Sequence, residues 1–212
     1  EPYLRSVIDR QTYARIHFQD AKKKIDAYAQ TVTQDASLFF TALCNQNARV
    51  EFNIFIREVG AYLTACVQSI HAVPDILAHA IYYSLDFNHT APIRKARDID
   101  ARRVLKLLRR DPQFHIITVF LDSLVNTETF AHLDALANQA KHRSIIFPSI
   151  NEDLTGSQEK RYMVVFPAFK YDGKSYPEVF VDDFLKVEYE RSSRCLIQTF
   201  VELNTLLRGR VS

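Results

Sequence analysis

Between Arg49 and Asp86, apolar residues return every three or four positions: Phe52, Phe55, Val59, Tyr62, Cys66, Ile70, Val73, Leu77 and Ile81. That period predicts one long amphipathic helix, the segment around which the rest of the chain has to pack. Pro74 falls inside it and removes the hydrogen bond to the Ile70 carbonyl, so a kink is expected there. Upstream, residues 6–29 read as a first helix with Tyr13, Ile16, Ile25 and Tyr28 on its apolar face and Lys22, Lys23 and Lys24 toward water. The β-branched and short polar run 31–35 weakens it. A second helical piece carrying Leu38, Phe39, Ala42 and Leu43 is expected before the break at Asn45-Gln46-Asn47.

Downstream of the loop 88–92 the polar face changes character. Residues 93–110 hold eight basic and two acidic side chains. On a helical wheel Arg102, Arg103, Lys106, Arg109 and Arg110 share one side, with Val104, Leu105, Leu107 and Leu108 opposite. A face of one sign can track phosphates, lie against an anionic surface, or stay solvated among acidic neighbours. No aromatic residue is interleaved with it for base stacking.

Asp111-Pro112 is a helix-start signal, a capping carboxylate followed by proline at the first helical position. That helix carries Phe114, Ile117, Phe120, Leu121 and Leu124 to about Asn126, and another runs from there to Lys141-His142. After the apolar run 145–147, residues 151–160 read as a polar loop. Residues 162–169 and 174–181 flank Asp172-Gly173, a pair suited to a type I′ hairpin turn. That turn sets Phe169 opposite Tyr176, Val165 opposite Phe180 and Phe166 opposite Val179. Both faces are then apolar, so the ribbon is expected to be sandwiched. Pro167 and Pro177 suit a two-stranded ribbon and discourage further strand addition. Asp182-Asp183 opens a final helix with a stripe of Leu185, Tyr189, Leu196, Phe200, Leu203 and Leu207, ended by Gly209.

The pattern therefore predicts an all-α fold with a small antiparallel β-hairpin inserted at about 161–181, within a single domain spanning 1–212. At 212 residues the length suits one large domain, or at most two small ones. Only four glycines are present, which argues against glycine-rich phosphate cradles, and neither dinucleotide nor nucleotide loop motifs occur. The net charge of +2 implies no global affinity for nucleic acid or membrane. Cys44, Cys66 and Cys195 are odd in number and widely spaced, which suits reduced, mostly buried thiols in a cytoplasmic protein. No apolar run reaches the ~18 residues a membrane span needs. The chain opens on Glu1 rather than Met, which leaves room for a removed leader. His71, Asp75 and His79 follow at helical spacing. A metal ion can bridge such a set, but a solvated or hydrogen-bonded polar face with an i, i+4 Asp/His pair is the expected role, and neither a metal nor a cofactor is expected.

Ala137-Asn138-Gln139-Ala140-Lys141-His142-Arg143 closes a helix after an apolar stripe. It resembles the Arg-Asn-x-x-x-His signature of the HEPN superfamily, small helical bundles that include metal-independent ribonucleases and non-catalytic relatives. His142 matches the histidine and Asn138 the asparagine, while Ala137 stands where the arginine belongs. The resemblance implies a HEPN-like bundle, a homodimer, and RNA as a partner. It implies first a non-catalytic RNA-binding or protein-interaction module with His142 and Asn138 structural or contacting a ligand; Lys141, Arg143 and the basic face are the further candidate contacts that the charge pattern offers. An alternative is a toxin- or defence-type endoribonuclease with His142 as acid/base and Lys141 or Arg143 on the phosphate. A scaffold or anionic-surface role for residues 102–110 is a third reading.

Overall fold

The structure, a computed structural model, describes residues 2–31, 37, 44–91, 93, 95–158 and 160–209. It is mostly helical, with a small antiparallel sheet. Among the described residues the helices are α1 (Pro2–Thr31), α2 (Gln46–Ser84), the single turn α3 (Phe87–Thr90), α4 (Ala101–Leu108), α5 (His115–Val125), α6 (Glu128–His142) and α7 (Val181–Gly209). The strands are β1 (Ser149–Glu152), β2 (Tyr162–Phe166), β3 (Phe169–Tyr171), β4 (Lys174–Tyr176) and β5 (Val179–Phe180). The expected helical piece with Leu38, Phe39, Ala42 and Leu43 lies outside the described residues.

By backbone contacts the chain divides into two compact units, each holding part of α1, α2, α6 and α7. One comprises residues 1–13, 69–134 and 187–212, the other residues 14–68 and 135–186. In the first unit α2 is the central helix. Ile70, Val73, Leu77 and Ile81 are buried as the spacing predicts, and Ser69, Ala78, Ala80 and Tyr82 are buried beside them. Leu108, Ile117, Leu121, Leu124 and Leu133 complete that core from α4, α5 and α6. A helix buried over so much of its circumference needs neighbours on several sides, which a single stripe did not foretell. α1 departs further from expectation. Its buried positions are Val7, Gln11, Ala14 and Ala21, whereas Tyr13 and Ile16 are exposed. Small side chains let a neighbouring backbone come close, and that face wins over the bulkier one.

In the second unit Phe55, Val59 and Leu63 of α2 are buried. Gly60 admits the segment after α6: a Cβ there would meet Pro148 Cδ at 3.2 Å. The hairpin register is the one the turn dictates, with Phe169 opposite Tyr176, Val165 opposite Phe180 and Phe166 opposite Val179. Asp172 and Gly173 take φ of 46° and 78°, the positive angles a type I′ turn requires. Three expectations are corrected. Residues 149–152, placed near or in a polar loop, form β1 and pair with β2 from Ser149↔Val165 to Glu152↔Tyr162. The prolines do not prevent that addition; they split the ribbon instead, so β1-β2-β5 and β3-β4 are separate sheets. Nor is the ribbon sandwiched throughout: Val164, Val165 and Phe166 are buried, but Phe180 is 46% exposed.

Candidate functional site

α6 positions the Asn/His motif. Thr127 Oγ1 accepts the backbone N–H of Phe130 at 3.1 Å and starts the helix. At its end Gln139 O accepts from the backbone N–H groups of both Arg143 and Ser144, each at 3.0 Å. Gln139 Nε2 also donates to Ser144 Oγ, which closes the last turn. Asn138 is half-buried, and one turn later Lys141 and His142 are exposed. Arg143 leaves this group. Its guanidinium pairs with Asp172 Oδ1 at 2.5 Å and lies 4.6 Å from the centre of the Tyr171 ring, so it ties the β3-β4 turn to the end of α6. Ala137, the position of the motif's arginine, is fully buried. A guanidinium at that position would have to enter the core.

The basic face sits on a shorter helix than the charge pattern spans. α4 covers only Ala101–Leu108, and residues 96–98 form a separate 3-10 turn. Asp100 caps α4, accepting the Arg103 backbone N–H at 2.8 Å. Asp75 Oδ1 on α2 accepts the Ala101 backbone N–H at 3.0 Å. Val104, Leu105 and Leu108 are buried, and Arg102, Arg103, Lys106, Arg109 and Arg110 are exposed, as the wheel predicts. The five cations are not equivalent. Arg103 faces Asp98 and Asp100, at 3.2 and 3.6 Å, and Arg109 is bound to Asp122. Arg102, Lys106 and Arg110 pair with no carboxylate among the described residues. Arg102 and Lys106 recur at i and i+4 on α4 and so share one side, and Arg110 follows in the turn after the helix.

His71, Asp75 and His79 do not converge. His71 Nε2 lies 2.7 Å from Asp134 Oδ1, Asp75 caps α4, and His79 stacks on Tyr3 with ring centres 5.1 Å apart. Their face is only partly open, since His71 is mostly buried while Asp75 is exposed. Burial holds the His79 imidazole below its ordinary pKa, with Asp75 opposing. Among the described residues no group of three or more His, Cys, Asp or Glu is placed to hold a metal ion.

Three features were not read from the sequence. The Glu188 carboxylate is fully buried and paired with Arg191, at 3.1 Å from its Nε. Arg191 also donates to the Ser123 carbonyl and lies 5.8 Å from the centre of the Phe130 ring. The signal was present, because Glu188 falls on the apolar stripe between Leu185 and Ser192. Second, a cleft of about 240 Å³ is lined by Ile25, Met163, Val164 and Phe180, with Lys22 and Lys160 both paired to Asp182 at its rim. Third, Cys44 is exposed, unlike Cys66 and Cys195. Burial pushes the Cys66 thiol up to about 12, which keeps it protonated and unreactive.

Comparison with protein-family models, with curated proteins and with solved structures finds no match for this chain. No helix among the described residues is long and apolar enough to cross a membrane.

Proposed function

We propose that this chain is a non-catalytic RNA-binding module of HEPN-like type that reads the phosphate backbone with α4. The observation that carries this reading is the pair of exposed Arg102 and Lys106 on a helix whose opposite side is buried, continued by exposed Arg110 in the turn that follows it. Cations without acidic partners can exchange their counterions for phosphates, and a helix fixed by its buried face holds them in register. Arg103 and Arg109 serve the fold more than the ligand, since each is paired with a carboxylate. Asn138, Lys141 and His142 form a second polar spot at the end of α6. Catalysis there is the less supported alternative, because Ala137 is a core position and Arg143 is engaged by Asp172 and Tyr171.

The test is a salt titration of RNA binding by the wild type and by the triple variant Arg102→Glu, Lys106→Glu, Arg110→Glu. Three phosphate contacts on a single strand give a log–log salt slope of about −2, which the variant loses. An unchanged slope removes the proposal. A parallel incubation comparing wild type with His142→Ala expects no difference in RNA cleavage.

A further inference from the structure

From the placement of three rings beside the basic segment, we infer that the module takes single-stranded RNA and stacks a base on the Tyr3–His79–Tyr83 cluster. The inference rests on the phosphate-reading role of α4 and names the class of nucleic acid it serves. Along the sequence no aromatic residue lies within the basic run, but the fold brings some beside it. The Tyr3 and Tyr83 rings are 5.3 Å apart and 4° from parallel. Tyr3 and His79 are 5.1 Å apart at 21°, and His79 and Tyr83 are 6.4 Å apart at 25°. The three near-parallel rings thus form one cluster, with their centres at the corners of a triangle, and Tyr83 remains 39% exposed. A π-face of this kind accepts any base.

Two contacts tie that stack to the cations. The Tyr82 hydroxyl accepts the backbone N–H of Ile93 at 2.8 Å, and the Tyr82 ring meets Tyr83 edge-on at 5.3 Å. Exposed Lys95 follows two residues after Ile93, at most about 7 Å of chain away, and exposed Arg97 two further on. Asp75, which caps α4, precedes Tyr83 by eight residues, about 12 Å along α2. The ring cluster therefore lies at the Tyr82 end of a stretch of α2 whose other end, Asp75, holds the start of α4, with Lys95 and Arg97 on the segment that joins the two. A duplex keeps its bases paired inside and offers no free face to such a platform, whereas a single strand does.

The experiment measures binding of three probes to the full chain: a dodecamer of riboadenylate, the same length with abasic spacers, and inorganic polyphosphate. The wild type is expected to bind the adenylate about tenfold more tightly than the abasic strand. Tyr83→Ala is expected to erase that preference while leaving the salt slope and the polyphosphate affinity unchanged, and Tyr83→Phe to retain it. Equal affinity of the wild type for adenylate and abasic strands overturns the inference, even if Tyr83→Ala fails to fold. So does a Tyr83→Ala variant that keeps the preference. If the wild type shows no salt-dependent binding to any of the three, the α4 reading itself falls. A base preference that fails while the slope persists removes only the stacking.

Discussion

Asp75 Oδ1 accepts the backbone N–H of Ala101 at 3.0 Å, so a carboxylate on α2 fixes the first turn of α4. α4 is short, eight residues, and isolated helices of that length do not hold in water. Its direction depends on the caps at Asp75 and Asp100 and on the burial of Val104, Leu105 and Leu108. Asp75→Ala should cost about 1 kcal/mol in urea unfolding, as the loss of a cap does, with Asp75→Asn losing less. The same variant should weaken RNA binding without changing the charge of the basic face.

The Glu188–Arg191 pair makes a sharper prediction. Arg191→Ala leaves a fully buried carboxylate without its cation, which costs about 3–5 kcal/mol. Replacing both partners together by Glu188→Leu and Arg191→Met should recover most of that loss, because it removes the desolvated charge. Denaturant midpoints of the two variants check this directly.

Stability should depend on pH through His79 and His132, both held below the ordinary histidine value by burial. A histidine with a lowered folded pKa binds its proton more readily when unfolded. Its contribution is therefore full above the unfolded pKa and is lost as pH falls through the folded one. Unfolding midpoints should decline from about pH 7 to pH 5, and His132→Leu should flatten the decline. Asp153, held at about 2 by hydrogen bonds from Thr155 and Gln158, acts only at lower pH and leaves that window clear.

Ala137 bears on the HEPN resemblance. Its side chain is wholly inside, so Ala137→Arg should destabilise the chain by several kcal/mol rather than create a nuclease. Thermal unfolding together with an RNA cleavage assay separates the two outcomes; gained cleavage in a folded variant would restore the catalytic alternative.

Much of the fold was legible because periodicity and turn chemistry are local signals. The α2 stripe and the hairpin register from Asp172-Gly173 follow from spacing alone, and Asp111 is a cap as expected, though of a 3-10 turn (Pro112–Phe114) that precedes α5. What escaped depends on partners distant in sequence. β1 carries no strong alternation in Ser-Ile-Asn-Glu, and only pairing with β2 makes it a strand. α1 buries alanines rather than Tyr13 because close approach outweighs side-chain size, a choice its neighbours make. At the candidate site the exposed basic side of α4 was plain from the wheel. Which cations pair was not, since Arg109 meets Asp122 from α5. Nor was the ring stack, assembled from α1 and α2.

The central claim is that Arg102, Lys106 and Arg110 contact phosphates while Arg103 and Arg109 hold the fold. Salt titration of single-stranded RNA binding by charge-reversed variants at each of the five positions tests it most directly. The account predicts that each of the first three lowers the magnitude of the slope by about 0.7. Reversal of Arg103 or Arg109 should leave the slope nearly unchanged. Equal slopes for all five variants and the wild type would contradict it.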